Sequence, residues 1–210
     1  MISFDAIDAL VQHHLQGTAL DWWRSTTFAD FDRIRFLAAL SGAGRRLGQG
    51  SVAGLDGDRW SWAALGRVGV LLSLPGRIND GGLVDVVGEA YRTGDLQEKQ
   101  AVLRALAFLP TAEQFLAIAA EGARSNAVSI LEAIACDNPY PTRYFSQDAL
   151  NQLTMKALFN GLPLARVVGL KARINADLVR MARDYASERR AAGRSISEDL
   201  SMLEQESPFP

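Results

Sequence analysis

The sequence predicts an all-α protein, and three observations predict it. Apolar residues recur at spacings of three and four along most of the chain. Capping residues and glycine or proline stops punctuate it at helix-length intervals. No stretch alternates apolar and polar residues long enough to read as a strand. Short turns imply antiparallel neighbours. Between Asp95 and Gly161 they fall so regularly that the expected architecture is an irregular stack of helical hairpins, a HEAT-like α-α superhelix. A compact helical bundle is the alternative. Residues 1–204 are expected to form one domain, with a frayed tail over 205–210.

Taken in order, Ser3 caps a first helix from Phe4 to about Gln16, with Ile7, Leu10 and Val11 on its apolar side. Thr18 caps a short second helix carrying Trp22 and Trp23. A third helix, Phe28 to Leu47, places Phe28, Phe31, Ile34, Leu37 and Ala38 on one stripe. Gly48 to Gly57 is a glycine-rich loop whose role the sequence leaves open, and Asp58 caps a helix from Trp60 to Leu74. Asp80 precedes a helix over Leu83 to Arg92. Asp95 with Glu98, and Thr111 with Gln114, spell capping boxes for Leu96 to Leu109 and Ala112 to Ala123. Ser125 or Asn126 opens a run to Cys136, Ser146 caps Gln147 to Asn160, and Asn175 caps Ala176 to Ala192.

Composition excludes several classes of function. A net charge of -2 lacks the basic excess of a nucleic-acid or membrane-surface binder. The single cysteine, Cys136, excludes an internal disulfide and fits a reducing compartment. The first fifteen residues carry Asp5 and Asp8 and no cationic stretch, so no signal peptide is expected. The apolar runs fall far short of the ~20 residues that a membrane helix needs. The expected compartment is the cytoplasm, with no membrane insertion.

Motifs for catalysis and cofactors are weak. His13 and His14, the two histidines, are adjacent and point about a quarter-turn apart on a helix, so they cannot share a metal as an i,i+4 pair would. No G-x-S-x-G elbow is present. Gly42-Ala43-Gly44-Arg45-Arg46 has a phosphate-loop flavour, but Leu47 stands at the third glycine position and a helix precedes it. It reads as a helix C-terminus, where arginines suit the dipole. No metal, cofactor or catalytic residue is therefore assigned.

The polar groups concentrate around Asp137-Asn138-Pro139-Tyr140-Pro141. Asn138 and Tyr140 each precede a proline and are expected outside the α region, which predicts a stiff extended crossing between helices. Gln152 and Lys156 share a helix face four residues apart, Asn151 lies beside them, and Glu132 flanks an apolar stripe. Arg124 and Asn126 sit at the preceding break. Two readings of these residues stay open. In one they tie neighbouring hairpins together, because an unpaired buried polar group costs ~1–3 kcal/mol. In the other they line a hollow for a small anionic or polyhydroxylated ligand. A third reading makes Glu132 or Asp137 a general base and Lys156 or Arg124 an electrostatic stabiliser of an enzyme.

This region resembles the EboA family. The carrying residues are Glu121-Gly122 with Arg124 and Asn126, the turn over 137–141 with Tyr144-Phe145, Asn151-Gln152, and Lys156 to Phe159. They continue with Arg166, Gly169-Leu170, Arg173, Asn175 and the run from Tyr185 to Arg194. The match is specific over about Ala112 to Arg194. The resemblance implies a role beside enzymes that make or export a secondary-metabolite precursor, whose intermediates are polar and in part phosphorylated. The expected partners are such a molecule or a pathway enzyme. With Tyr140 and Arg166 added, the expected ligand-binding set is Arg124, Asn126, Glu132, Asp137, Asn138, Tyr140, Asn151, Gln152, Lys156 and Arg166.

Overall fold

The computed structural model of the chain describes residues 2–52 and 60–205. Among these are twelve α-helices, several 3-10 turns and two isolated bridges, but no strand. The fold is all-α. The chain divides into two compact units, Met1–Ile118 and Ala119–Pro210.

The first unit is built around α4 (Trp62–Leu72). Every residue of α4 from Leu65 to Leu72 is buried, as expected of a helix apolar on nearly all sides. It packs against α1 (Phe4–His14), α2 (Gly17–Thr27), α3 (Arg33–Leu47) and α6 (Leu96–Ala105). Two glycines one turn apart make this possible. Atoms of Leu47 occupy the place of a Cβ at Gly66, and those of Trp23 and Ile7 the place of one at Gly69. Trp23 is fully buried and donates its indole N–H to Asp8 Oδ1 at 2.7 Å. α5 (Asp80–Thr93) packs on α6, and a 3-10 turn over Ala112–Phe115 packs on α5.

Several boundaries differ from the sequence reading. α3 begins at Arg33, not Phe28, because Asp32 caps it through a 2.7 Å bond from Arg35 N–H. The later start rotates the buried stripe to Phe36, Ala39, Leu40, Ala43 and Leu47, and leaves Phe28 and Ile34 exposed. Gln16, not Thr18, precedes α2, and Asn79, not Asp80, caps α5. α4 is capped by Ser61. The Asp95–Glu98 capping box forms as expected, but Thr111 adopts a left-handed φ of 51° and caps nothing, its hydroxyl donating to Pro110 O.

In the second unit, α10 (Gln147–Phe159) packs against α8 (Val128–Ala135) and α11 (Ala176–Ala191), and α12 (Glu198–Gln205) packs on α11. α7 spans Leu116–Arg124. The turn after α8 is not an extended crossing. Asp137 takes a positive φ of 53°, Pro139 is helical, and Tyr140 opens a short helix, α9 (Tyr140–Tyr144), despite preceding Pro141. Tyr140 lies in the first turn, where proline is tolerated at the next position because its missing N–H would have no partner. α12 runs through Gln205, the first residue assigned to the tail. The rest of that tail, the Asp58 cap and residues 53–57 of the glycine-rich loop lie outside the described residues.

Candidate functional site

Of the ten residues expected to bind ligand, the structure joins three through one arginine. Arg166, on a 3-10 turn after α10, donates from Nη1 to Glu132 Oε1 at 2.6 Å. Its Nε and Nη2 both reach Asp137 Oδ2, at 3.0 and 2.6 Å. Asp137 N–H closes the arrangement on the Arg166 carbonyl at 2.7 Å. Hydrogen bonds from Asp137 and then Glu132 raise the Arg166 pKa further above its ordinary value, against desolvation. Asn138 is buried and fully engaged: its amide donates to Ala133 O, and its oxygen accepts from Tyr140 N–H. That asparagine is what makes the helical turn at Tyr140 affordable. Tyr140 is fully buried, 4.7 Å from the Tyr144 ring.

Asn151 belongs to a second network, one that sequence reading did not place. It exchanges hydrogen bonds with Asn175, the cap of α11, and accepts from Gln147, which also bonds to Arg173. Arg173 in turn donates to the Thr142 and Phe145 carbonyls at the end of α9. Arg124, Asn126 and Gln152 are exposed, and Lys156 is half-buried. No hydrogen bond or ion pair joins the side chains of these four to either network.

Two open, polar spaces lie in the first unit. One cavity of about 460 Å³ lies between α2, the α2–α3 connection and α3, with Arg77 at its edge. Its long wall is a single face of α3: Arg35, Ala38, Gly42 and Arg45, with Arg46 beside them. Trp22, half-buried on α2, supplies an aromatic surface opposite. Four arginines and two aspartates, Asp30 and Asp32, line the space. One oxygen of Asp32 is committed to capping α3. Among the described residues Arg35, Arg45 and Arg46 make no side-chain hydrogen bond and no ion pair. Arg77 donates to Ser73 Oγ at 3.0 Å while its Nε–H is buried without an acceptor, and burial lowers its pKa despite the nearby charge of Asp30.

A second recess of about 310 Å³ lies between α4 and α6, lined by Gln49, Ser61, Arg67, Gln97, Gln100 and Arg104 among others. None of the ten expected residues lines either space. The arginine wall was missed because Arg45 and Arg46 read as ordinary helix-end cations. The signal that finds it is the i, i+3, i+7, i+10 series from Arg35 to Arg45, which puts two small residues between cationic ends on one face. Among the described residues no cluster of His, Cys, Asp and Glu is grouped to hold a metal. No helix among them is long and apolar enough to cross a membrane.

Fold and recesses together define an all-helical protein whose first unit offers cationic, polar space. The family model for the metabolite traffic protein EboA matches residues 28–204, and the chain belongs to that family. No curated protein and no solved structure matches the chain.

Proposed function

We propose that the protein binds a polar, anionic small molecule in the α2–α3 cavity and hands it on without transforming it. The observation that carries this reading is the wall of three arginines without partners. These exposed cations are not consumed by contacts within the described chain, so their guanidinium groups are available to a bound anion. Guanidinium groups also match carboxylate and phosphate oxygens with paired donors. Trp22 adds a flat surface for the apolar part of a ligand. The family's description, metabolite traffic, agrees with carriage in place of chemistry.

The test is titration of the purified chain with a panel of phosphorylated sugars and hydroxy acids, followed by mass spectrometry of the recovered ligand. Saturable binding with the ligand returned unchanged is expected, and Arg35→Ala with Arg45→Ala should weaken it at least tenfold. Turnover of any panel member would replace this reading with an enzymatic one.

A second reading keeps the site in the C-terminal unit, and Lys156 favours it. The residue is half-buried, its ammonium makes no ion pair or hydrogen bond among the described residues, and Gln152 lies one turn before it on α10. Here Arg124, Asn126 and Lys156 would meet the ligand, with Arg166 holding Glu132 and Asp137 in place. Lys156→Ala decides between the two: loss of binding in that variant alone moves the site to the second unit.

A further inference from the structure

The recess between α4 and α6 holds the most deeply buried cation of the described chain. Arg67 is 4% exposed, and its Nε–H donates to Leu40 O at 3.0 Å. Among the described residues that is its one side-chain hydrogen bond, and it forms no ion pair with any of them. A buried charge without a partner is unfavourable, and burial accordingly lowers the Arg67 pKa, with Asp95 and Glu98 opposing the shift from a distance. Of those two carboxylates, Glu98 keeps one oxygen, Oε1, buried without a hydrogen-bond partner among the described residues. Asp95 accepts from the Gln97 and Glu98 N–H groups, and Glu98 Oε2 accepts from Asp95 N–H.

The surroundings are donors. Gln97, Gln100 and Arg104 share one face of α6 at i, i+3 and i+7, and Gln49 approaches from the end of α3. Gly44 is what admits the last of these: a Cβ there would stand 2.9 Å from Gln49 Nε2 and 3.5 Å from Arg67 Nη2. Arg104 is held over the Trp60 ring, 5.0 Å from its centroid. Among the described residues no carboxylate lines the recess.

We propose that this recess is a phosphate-binding site built on Arg67, separate from the α2–α3 cavity. A phosphate group carries three or four acceptor oxygens, enough to take the Nη groups of Arg67 together with the three carboxamides. A carboxylate has two oxygens and leaves most of these donors unmatched. Inorganic phosphate and the head of a small phosphomonoester share this chemistry.

The test is isothermal titration and thermal unfolding of the full chain with inorganic phosphate and with glycerol 3-phosphate, at constant ionic strength, with acetate as the carboxylate control. Saturable binding is expected, with a melting temperature that rises with ligand concentration. Arg67→Met, similar in volume and uncharged, should lower the affinity at least tenfold. Should that variant fail to fold, Gln100→Ala at the half-buried rim should still cost several-fold. Arg35→Ala with Arg45→Ala should leave phosphate affinity unchanged. Equal binding of both probes identifies the free anion, and binding of the ester alone identifies a metabolite head group. The proposal is overturned if neither probe binds, if acetate binds as tightly, or if Arg67→Met and Gln100→Ala bind like the wild type. Loss of binding in the Arg35/Arg45 variant alone assigns the response to the α2–α3 cavity and rejects the Arg67 site.

Discussion

Arg166 in the second unit and Arg67 in the first are both partly or wholly removed from water, and they are treated in opposite ways. Arg166 spends its guanidinium on two carboxylates, so it joins α8, the turn after it and a 3-10 segment into one ionic cluster. Among the described residues Arg67 has one carbonyl and no ion-pair partner, although it is the more deeply buried of the two. The same contrast extends to Arg173, which caps α9, and to Arg35, Arg45 and Arg46, whose side chains pair with no other described residue. Paired arginines report on how the fold is held.

The largest effect should come from removing the paired arginine. Arg166→Ala leaves Glu132 and Asp137 as neighbouring carboxylates without their shared cation. Loss of one partner from a fully buried pair costs ~3–5 kcal/mol. Because these side chains are 23–39% exposed, about 2–3 kcal/mol is expected, or a melting temperature lower by roughly 5–10 °C. Adding Glu132→Gln and Asp137→Asn to Arg166→Ala should restore part of the loss. A drop below about 0.5 kcal/mol would mean that the cluster is ornamental, and would return these residues to the ligand-binding reading.

Next in size is Asn138→Ala, expected to cost about 1–2 kcal/mol by chemical denaturation. It strands the buried Ala133 carbonyl and the Tyr140 N–H together, and both are left without their acceptor or donor. No change in stability would say that the turn needs no side-chain bridge and that the asparagine serves a ligand instead.

How far the chain could be read follows the same division. Helix existence was readable because periodicity and capping are local: Ser3, Asp95, Ser146 and Asn175 each cap the helix assigned to them. Where two local signals competed, the reading slipped. Asp32 outcompeted the apolar run from Phe28, and Asn138 supplied the bond that let Tyr140 turn helical before a proline. The polar residues around Asp137 were readable as a cluster, but not their pairing state. Arg166 lies 29 residues from Asp137, and Gln147 lies 26 from Arg173, so both partnerships are made by tertiary packing. For the same reason nothing in the local sequence marks Arg67 as unpaired. Its apolar neighbours Leu65 and Val68 predict only that it is buried.

A smaller effect, opposite in sign, is expected at Gly42. This residue lies in the interior of α3 on the floor of the arginine-walled cavity, and a Cβ added there meets no atom within 4 Å. Gly42→Ala should therefore stabilise the chain by about 0.5–1 kcal/mol through helix propensity alone. A bulkier Gly42→Val should reduce ligand binding in the α2–α3 cavity while leaving phosphate binding at Arg67 intact. Destabilisation by the alanine would show that the floor is closed.

The smallest stability effect is the most telling for the comparison. Arg45→Ala with Arg46→Ala removes two cations from the last turn of α3, where each contributes ~0.3–1 kcal/mol through the helix dipole when exposed. Against that, it relieves repulsion between the adjacent cations Arg45 and Arg46, which form no ion pair among the described residues. The two terms have similar size and opposite sign, so the net change should lie within about 0.5 kcal/mol, and raising salt should shrink it further. Arg166→Ala removes one cation and should cost several times more. If instead the double variant destabilises the chain as much as Arg166→Ala does, the arginine wall is part of the scaffold, and the reason for placing an anion there is gone.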